Sequence, residues 1–278
     1  LILKSFCWIP TSSSKWTEIV QHRPGSLILS MSVFSDHLVW LERTEGLPRL
    51  KVISLKKLDY YDIIFNEEIF DLSLFPVLDI ESRKIRFSYS SLATPMEIYD
   101  YDLESRERFL LKSQEIPSGH DPKNYIVRRL TATAEDGEII PISIVYSIKT
   151  QLDGSAPLVL YGYGSYGLSM PASFSSNRFS LIDRGFIYAI AHVRGGSDCG
   201  YRWYREGRGL KKMNSFKDFI AVAEHLISMN FTSSGRIIAL GGSAGGLLVG
   251  AVLNLRPELF GGAIAEVPFV DVLNTMCD

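Results

Sequence analysis

The sequence predicts an antiparallel β segment followed by an α/β domain with a mostly parallel sheet. Three observations predict it. Residues 1–114 read as short strands punctuated by Gly, Pro, Asp and Ser, the texture of a sandwich or of propeller blades. From Leu158 onward, apolar strands alternate with helical stretches, which implies parallel strands joined by crossover helices. Between the two, Ile116-Pro117-Ser118-Gly119-His120-Asp121-Pro122 is rich in residues that break regular structure. It sets an expected division into residues 1–114 and 115–278.

Taken in order, Leu38 to Arg43 and Arg49 to Ile53 are expected strands around a Thr44-Glu45-Gly46-Leu47-Pro48 turn. Glu97 to Tyr101 and Arg106 to Lys112 flank a second turn at Asp102-Leu103-Glu104-Ser105. Tyr125 to Thr133 and Glu138 to Tyr146 are expected strands around Asp136-Gly137, a dipeptide suited to a tight hairpin. Leu158 to Tyr161 and Phe186 to Ala191 are short buried strands. Ser215 to Met229 carries Phe216, Phe219, Ile220, Ala223, Leu226 and Ile227 at helical spacing, with Asn214 as the expected N-cap. Arg236 to Leu240 is a strand, Ala244 to Asn254 a helix and Ala263 to Val267 a strand.

Composition narrows the function classes. The 278 residues carry 29 basic and 31 acidic side chains, a formal net charge of -2. This balance argues against a dedicated binder of nucleic acid or of an anionic membrane. The cluster Arg202, Arg205, Arg208, Lys211 and Lys212 is expected to be a solvated loop. Cys7, Cys199 and Cys277 lie too far apart for metal-ligand spacing or a disulfide framework, which fits a reducing, cytoplasmic setting. No apolar run approaches the ~20 residues of a membrane helix. The opening Leu1-Ile2-Leu3 is interrupted by Lys4, so no signal peptide is expected, and the sequence does not begin with Met.

The sharpest motif is Gly241-Gly242-Ser243-Ala244-Gly245-Gly246, a G-x-S-x-G between an expected strand and an expected helix. That is the context of a nucleophile elbow, in which a serine hydroxyl is exposed on a strand-to-helix turn. Glycines are needed because side chains beside so sharp a turn would clash. The helix start supplies free N–H groups where an oxyanion would form. Read without that motif, Ser243 would be a serine in a glycine-rich helix start.

Two further loops leave the sheet on the same expected edge. Tyr161-Gly162-Tyr163-Gly164-Ser165-Tyr166-Gly167 follows the Leu158 strand, where α/β-hydrolases place part of an oxyanion hole. No HGGG-type motif is present, and a tyrosine hydroxyl could serve as donor instead. His192-Val193-Arg194-Gly195-Gly196 follows the Phe186 strand. His192 reads as structural, and Arg194 as a residue that pins its loop.

The combination of YGYGSYG, HVRGG, GGSAGGLLVGAVLNLRPELF and AEVPFVDV resembles the prolyl oligopeptidase family of serine peptidases, in particular its oligopeptidase B branch. The resemblance covers nearly the whole chain and is strongest from Leu158. It implies that residues 1–114 are the last blades of a β-propeller that admits only short peptides. Residues 115–278 would then be part of an α/β-hydrolase peptidase domain, ending after the strand that follows the nucleophile helix. It further implies that Ser243 is the nucleophile and that the Tyr163 hydroxyl and the Ala244 N–H are the oxyanion donors. Tyr166 would line the primary specificity pocket. The implied activity is cleavage of short peptides after Arg or Lys through an acyl-enzyme, with no metal or cofactor.

The sequence departs from that pattern in three places. Where the branch carries Asp-x-Asp after the tyrosine loop, Pro171-Ala172-Ser173 stands here, so a preference for two basic residues is not expected. Where it carries Gly-Gly-Gly-Glu, this chain has Gly195-Gly196-Ser197-Asp198, a shorter acid of the same charge. The triad order Ser, then acid, then His is not completed. The histidines are His22, His37, His120, His192 and His225, all before Ser243, and Asp271 comes too early for the acid. The chain therefore reads as an internal piece of a longer peptidase. Competing expectations are a catalytically incomplete remnant, a subunit complemented by a chain carrying the missing Asp and His, and an esterase of the wider hydrolase class.

Overall fold

The computed structural model describes residues 2–3, 17–77 and 79–277. Cys7 and most of the opening segment lie outside them. Two short strands, β1 (Ile2–Leu3) and β2 (Thr17–Glu18), pair antiparallel. Two four-stranded antiparallel sheets follow. The first holds β3 (Ser26–Val33), β4 (His37–Thr44), β5 (Leu47–Ser54) and β6 (Tyr60–Ile63) in chain order. The second holds β7 (Asp71–Leu74), β8 (Lys84–Ser90), β9 (Glu97–Asp102) and β10 (Arg108–Ser113), again each beside the next. These up-and-down sheets are β-propeller blades. Val39, Leu41, Leu50 and Val52 of one pack against Leu72, Ile85 and Phe87 of the other.

The β4–β5 turn is tighter than the sequence suggests. Only Glu45 and Gly46 lie outside the strands, both at positive φ (51° and 78°), the demand of a two-residue hairpin. Leu47 and Pro48 already belong to β5. Pro48 is tolerated because β6 pairs only from Leu50 to Ile53, leaving the missing Pro48 N–H on an open side.

The third sheet has six strands. β11 (Tyr125–Thr133) and β12 (Ile139–Ser147) form the expected hairpin in unbroken register. The sheet continues with β14 (Ile187–Ala191), β13 (Leu158–Gly162), β15 (Ile237–Gly242) and β16 (Phe260–Glu266), in the order β11-β12-β14-β13-β15-β16. The first three strands are antiparallel neighbours and the last four run parallel. Helix α1 (Ser176–Ile182) connects β13 to β14. The short α2 (Tyr201–Arg205) and the long α3 (Met213–Ser228) connect β14 to β15. Helix α4 (Ala244–Leu255) connects β15 to β16, and α5 (Val272–Cys277) comes last.

Helices α3 and α4 cover one face. Phe216, Phe219, Val222, Ala223 and Leu226 of α3, with Leu248, Val249 and Val252 of α4, meet Ile142, Leu160, Ala189 and Ala239. Each fully buried Leu, Ile or Phe here contributes about 1.5–3 kcal/mol, so this face anchors the sheet. On the other face Phe179 and Ile182 of α1 pack with Val145, Ile190 and, from the propeller side, Ile69 and Leu92. That cluster joins the two regions, helped by hydrogen bonds from the Gly46 N–H to the Asp198 carbonyl (2.8 Å) and from the Phe174 N–H to Ser90 Oγ (2.9 Å).

One cap differs from expectation. Asn214 is not the N-cap of α3; the helix begins at Met213, directly after a 3₁₀ turn over Gly209–Lys211. The Asn214 side chain donates instead to the Glu206 carbonyl (2.9 Å), because the incoming turn already delivers the chain in helical geometry.

Candidate active site

The parallel strands bring three loops to one edge: Tyr163 after β13, His192 after β14 and Ser243 after β15. Ser243 sits between β15 and α4 with φ 53° and ψ −116°, a conformation that costs a non-glycine residue about 1–3 kcal/mol. Its surroundings impose the conformation. Ser243 N–H donates to the Glu266 carbonyl (2.8 Å), and its own carbonyl accepts from Gly246 (2.9 Å) and Phe269 (2.9 Å). The residue is exposed. Among the described residues, nothing hydrogen-bonds its hydroxyl.

Ala244 is buried and is the first residue of α4, so its N–H has no acceptor within the helix. The next position must be glycine. A Cβ on Gly245 would stand 2.6 Å from the Gly162 carbonyl oxygen and 3.4 Å from Cα and Cδ2 of Tyr163. The same close approach places Tyr163 directly against the start of α4. Burial, and then the neighbouring Tyr166, push the Tyr163 hydroxyl above its ordinary pKa of 10.0, so it stands protonated as a donor. Tyr166 has φ 57° and is 69% exposed. Ser243, Ala244 and Tyr163 are thus assembled at the carboxyl edge, with Tyr166 beside Tyr163 and open to solvent.

His192 is engaged elsewhere. Its Nε2 lies 2.7 Å from Ser143 Oγ and its Nδ1 lies 3.0 Å from Asp198 Oδ1. The connectivity is that of a hydroxyl–imidazole–carboxylate triad, but Ser143, His192 and Asp198 are only 4%, 5% and 2% exposed. No substrate reaches that hydroxyl. The sequence offered no sign of Ser143, which alternates with apolar residues along β12.

Arg194 pins its loop. Its Nη2 and Nε donate to the fully buried Asp218 at 2.5 and 2.9 Å, and Nη1 donates to Asp136 at 2.5 Å. The hydrogen bond from Arg194 is the main influence holding the Asp136 carboxyl below its usual range. Pro171-Ala172-Ser173 supplies no acid, and Ala172 is buried beside Phe179 and Ile182.

Four members of the basic cluster, Arg202, Arg205, Arg208 and Lys211, are exposed as expected, with Arg202 and Arg205 on α2. Arg202 pairs with Glu138, Lys211 with Glu206, and Arg208 donates to the Tyr204 hydroxyl. Lys212 turns inward, donating to the Gly164 carbonyl (2.5 Å) and to Ser165 Oγ (2.9 Å). It is drawn in because the tyrosine loop presents oxygens there.

Comparison with known proteins follows the same outline. Residues 172–278 match the profile of the Prolyl oligopeptidase family, and residues 8–114 match that of the Prolyl oligopeptidase N-terminal beta-propeller domain. Dipeptidyl aminopeptidase BI of Pseudoxanthomonas mexicana is 39% identical over 96% of this chain and 37% of its own length. Protease 2 of Moraxella lacunata is 36% identical over 98% of this chain and 39% of its own. The chain therefore spans well under half the length of these relatives. Oligopeptidase B from Leishmania major superposes with a TM-score of 0.86 at 42% identity, covering 94% of this chain and 38% of that one. Oligopeptidase B from Trypanosoma brucei, solved in a closed form with covalently bound antipain, gives 0.88 at 42% identity over 97% of this chain and 39% of that one. With propeller blades followed by part of a hydrolase sheet, and both family profiles matched in that order, the chain belongs to the prolyl oligopeptidase family of serine peptidases.

Proposed function

We propose that the protein hydrolyses short peptides, after arginine or lysine, by acyl transfer to Ser243. The observation that carries this reading is the exposed Ser243 held at φ 53° on a strand-to-helix turn with Tyr163 packed against the same helix start. Ser243 Oγ attacks the scissile carbonyl carbon, and its proton passes to a base. The carbonyl oxygen takes up the negative charge and receives hydrogen bonds from the Tyr163 hydroxyl and the Ala244 N–H. Collapse expels the amine, which leaves with that proton. Water then adds to the ester and frees the acid. Tyr166 borders the side chain of the residue before the cleaved bond. The likeness to oligopeptidase B supports the basic preference, and the uncharged Pro171-Ala172-Ser173 speaks against a second basic subsite. The chemistry needs no metal or cofactor. A cytoplasmic setting belongs to the same proposal.

The test is fluorophosphonate labelling of the protein as its natural gene encodes it, with hydrolysis of an arginyl amide alongside. Label on the Ser243 peptide, and loss of label and turnover in Ser243→Ala, are expected. Label elsewhere, or turnover that survives the substitution, would overturn the proposal. Ester hydrolysis without amide hydrolysis would favour the wider hydrolase class.

A second reading concerns residues 1–278 by themselves. The base is a histidine in this family pattern, and no histidine follows His225 in the sequence. His192 is committed to Ser143 and Asp198, and His120 to the Ala93 carbonyl. The 278 residues alone are then inert and depend on groups outside this sequence. Ser243-dependent turnover by this polypeptide alone would refute that.

A further inference from the structure

We propose that Lys212 is a positioning residue for the Tyr163–Tyr166 loop: it clamps that loop onto the start of α3 and so sets where both tyrosines stand. The proposal rests on the roles given to Tyr163 and Tyr166 above.

Three oxygens surround the Lys212 ammonium. Nζ donates to the Gly164 carbonyl at 2.5 Å, to Ser165 Oγ at 2.9 Å and to Ser215 Oγ at 3.3 Å. Two of these belong to the tyrosine loop, between Tyr163 and Tyr166, and the third to α3. An ammonium has three N–H donors, so the count of donors and acceptors matches. The Phe216 ring centroid lies 5.8 Å from Nζ. The loop is seated tightly where the clamp acts. A Cβ on Gly164 would come within 2.7 Å of Val193 Cγ2 and 3.3 Å of Ser215 Cβ. Ser215 is itself buried and donates to the Arg194 carbonyl at 2.5 Å. Lys212 thus ties the tyrosine loop to the same buried loop that Arg194 anchors.

The clamp has no counter-charge. Among the described residues, no carboxylate pairs with Lys212. Of the charged groups on neighbouring segments, Glu206 pairs with Lys211, Lys217 with Glu135, Arg194 with Asp218 and Asp136, Arg208 rests on Tyr204, and Arg205 is exposed on α2. The tyrosine loop adds two phenols, Tyr163 and Tyr166. An unpaired lysine is a costly choice for a purely structural strut. Burial brings its pKa down to about 8. Below that value three donors serve three acceptors. Above it, the neutral amine keeps two N–H groups, and the clamp weakens as pH rises through 8.

The readout is amide exchange in the tyrosine loop, which needs no catalysis. Gly167 N–H donates to the Gly195 carbonyl and Leu168 N–H to the Ser165 carbonyl. In the intact chain at pH 7, Lys212→Met is expected to reduce protection at these two amides by about tenfold or more, the scale of a lost hydrogen bond to a charged group. The β15 amides, measured in the same sample, stay protected, and Lys212→Arg restores most of the loop protection. In the wild type, protection corrected for base catalysis should hold to pH 7 and fall as pH passes 8; in Lys212→Met that step is absent. Unchanged protection in Lys212→Met overturns the proposal. If that variant does not fold, a wild-type profile that is flat from pH 7 to 9 overturns it instead. Where the protein turns over an arginyl amide, Lys212→Met lowers kcat more than it raises KM. Lack of wild-type turnover counts against the function proposed above and leaves the exchange result to decide on Lys212.

Discussion

His192 Nδ1 meets the Asp198 carboxylate at 3.0 Å, while Ser143 closes on the other ring nitrogen at 2.7 Å. The carboxylate fixes the ring orientation, and the Asp198 carbonyl accepts from Gly46 at the tip of the β4–β5 hairpin. The relay is thus a strut where the propeller meets the α/β sheet. Ser143→Ala leaves a buried ring nitrogen unpaired and should cost about 1–3 kcal/mol in chemical denaturation. Labelling of Ser243 should persist in the folded variant. Loss of labelling with stability intact would mean that the relay feeds the site.

The Ser243 backbone predicts a gain in stability. Glycine adopts positive φ without penalty, so Ser243→Gly should release about 1–3 kcal/mol of strain and raise the melting temperature while removing any nucleophile. A melting temperature equal to or below that of the wild type would show that the turn is not strained.

Much of this arrangement was legible in the sequence, and the failures have physical reasons. The β13, β14, β15 and β16 strands and the Ser243 turn were visible because apolar runs, glycines and helical periodicity coincide there. Helix α1 and strands β6 and β7 were not, because each is seven residues or fewer; nor was β8, although Lys84–Ser90 alternates exposed and buried positions. Lys212 read as solvent-facing since sequence shows charge but not the three oxygens that meet it. Ser143 was hidden among Ile140, Ile142 and Ile144, where the strand period says only that it points to the other face. Asn214 has the chemistry of a cap, yet the preceding 3₁₀ turn had already started the helix.

The Arg194 network makes a sharper stability prediction. Asp218 is fully buried, and Arg194 is its charge partner. Arg194→Met leaves that carboxylate uncompensated and should cost about 3–5 kcal/mol, whereas Asp136→Asn, at the exposed end, should cost far less. Asp136 has a lowered pKa in the fold. Its contribution is therefore complete above the ordinary Asp value of about 3.9 and is lost as pH falls through the lower folded value. Denaturation series from pH 5 down to 2 should show that acid sensitivity in the wild type and a reduced slope in Asp136→Asn.

Tyr163→Phe removes a hydroxyl and leaves the ring that packs on Gly245. If the hydroxyl serves the oxyanion, kcat for an arginyl amide should fall by about 10²–10³ with little change in KM, because the bond forms fully only in the transition state. An unaltered kcat would take Tyr163 out of the mechanism.

The last prediction concerns β16. It ends the six-stranded order, and among the described residues no strand pairs on its outer side. Ile264 is 47% exposed and Val267 is 86% exposed. Val270, Leu273 and Met276, which follow in the chain, are exposed apolar residues as well. An edge with open backbone groups and apolar side chains is a template for another strand. The 278-residue polypeptide should therefore self-associate as its concentration rises. Ile264→Lys puts a charge on that surface without touching Ser243 or the α3–α4 core, and should shift the population toward monomer. Sedimentation velocity across a concentration series reads the shift directly. A wild-type chain that stays monomeric throughout would refute the association, and association that Ile264→Lys leaves unaltered would place the contact on a different surface.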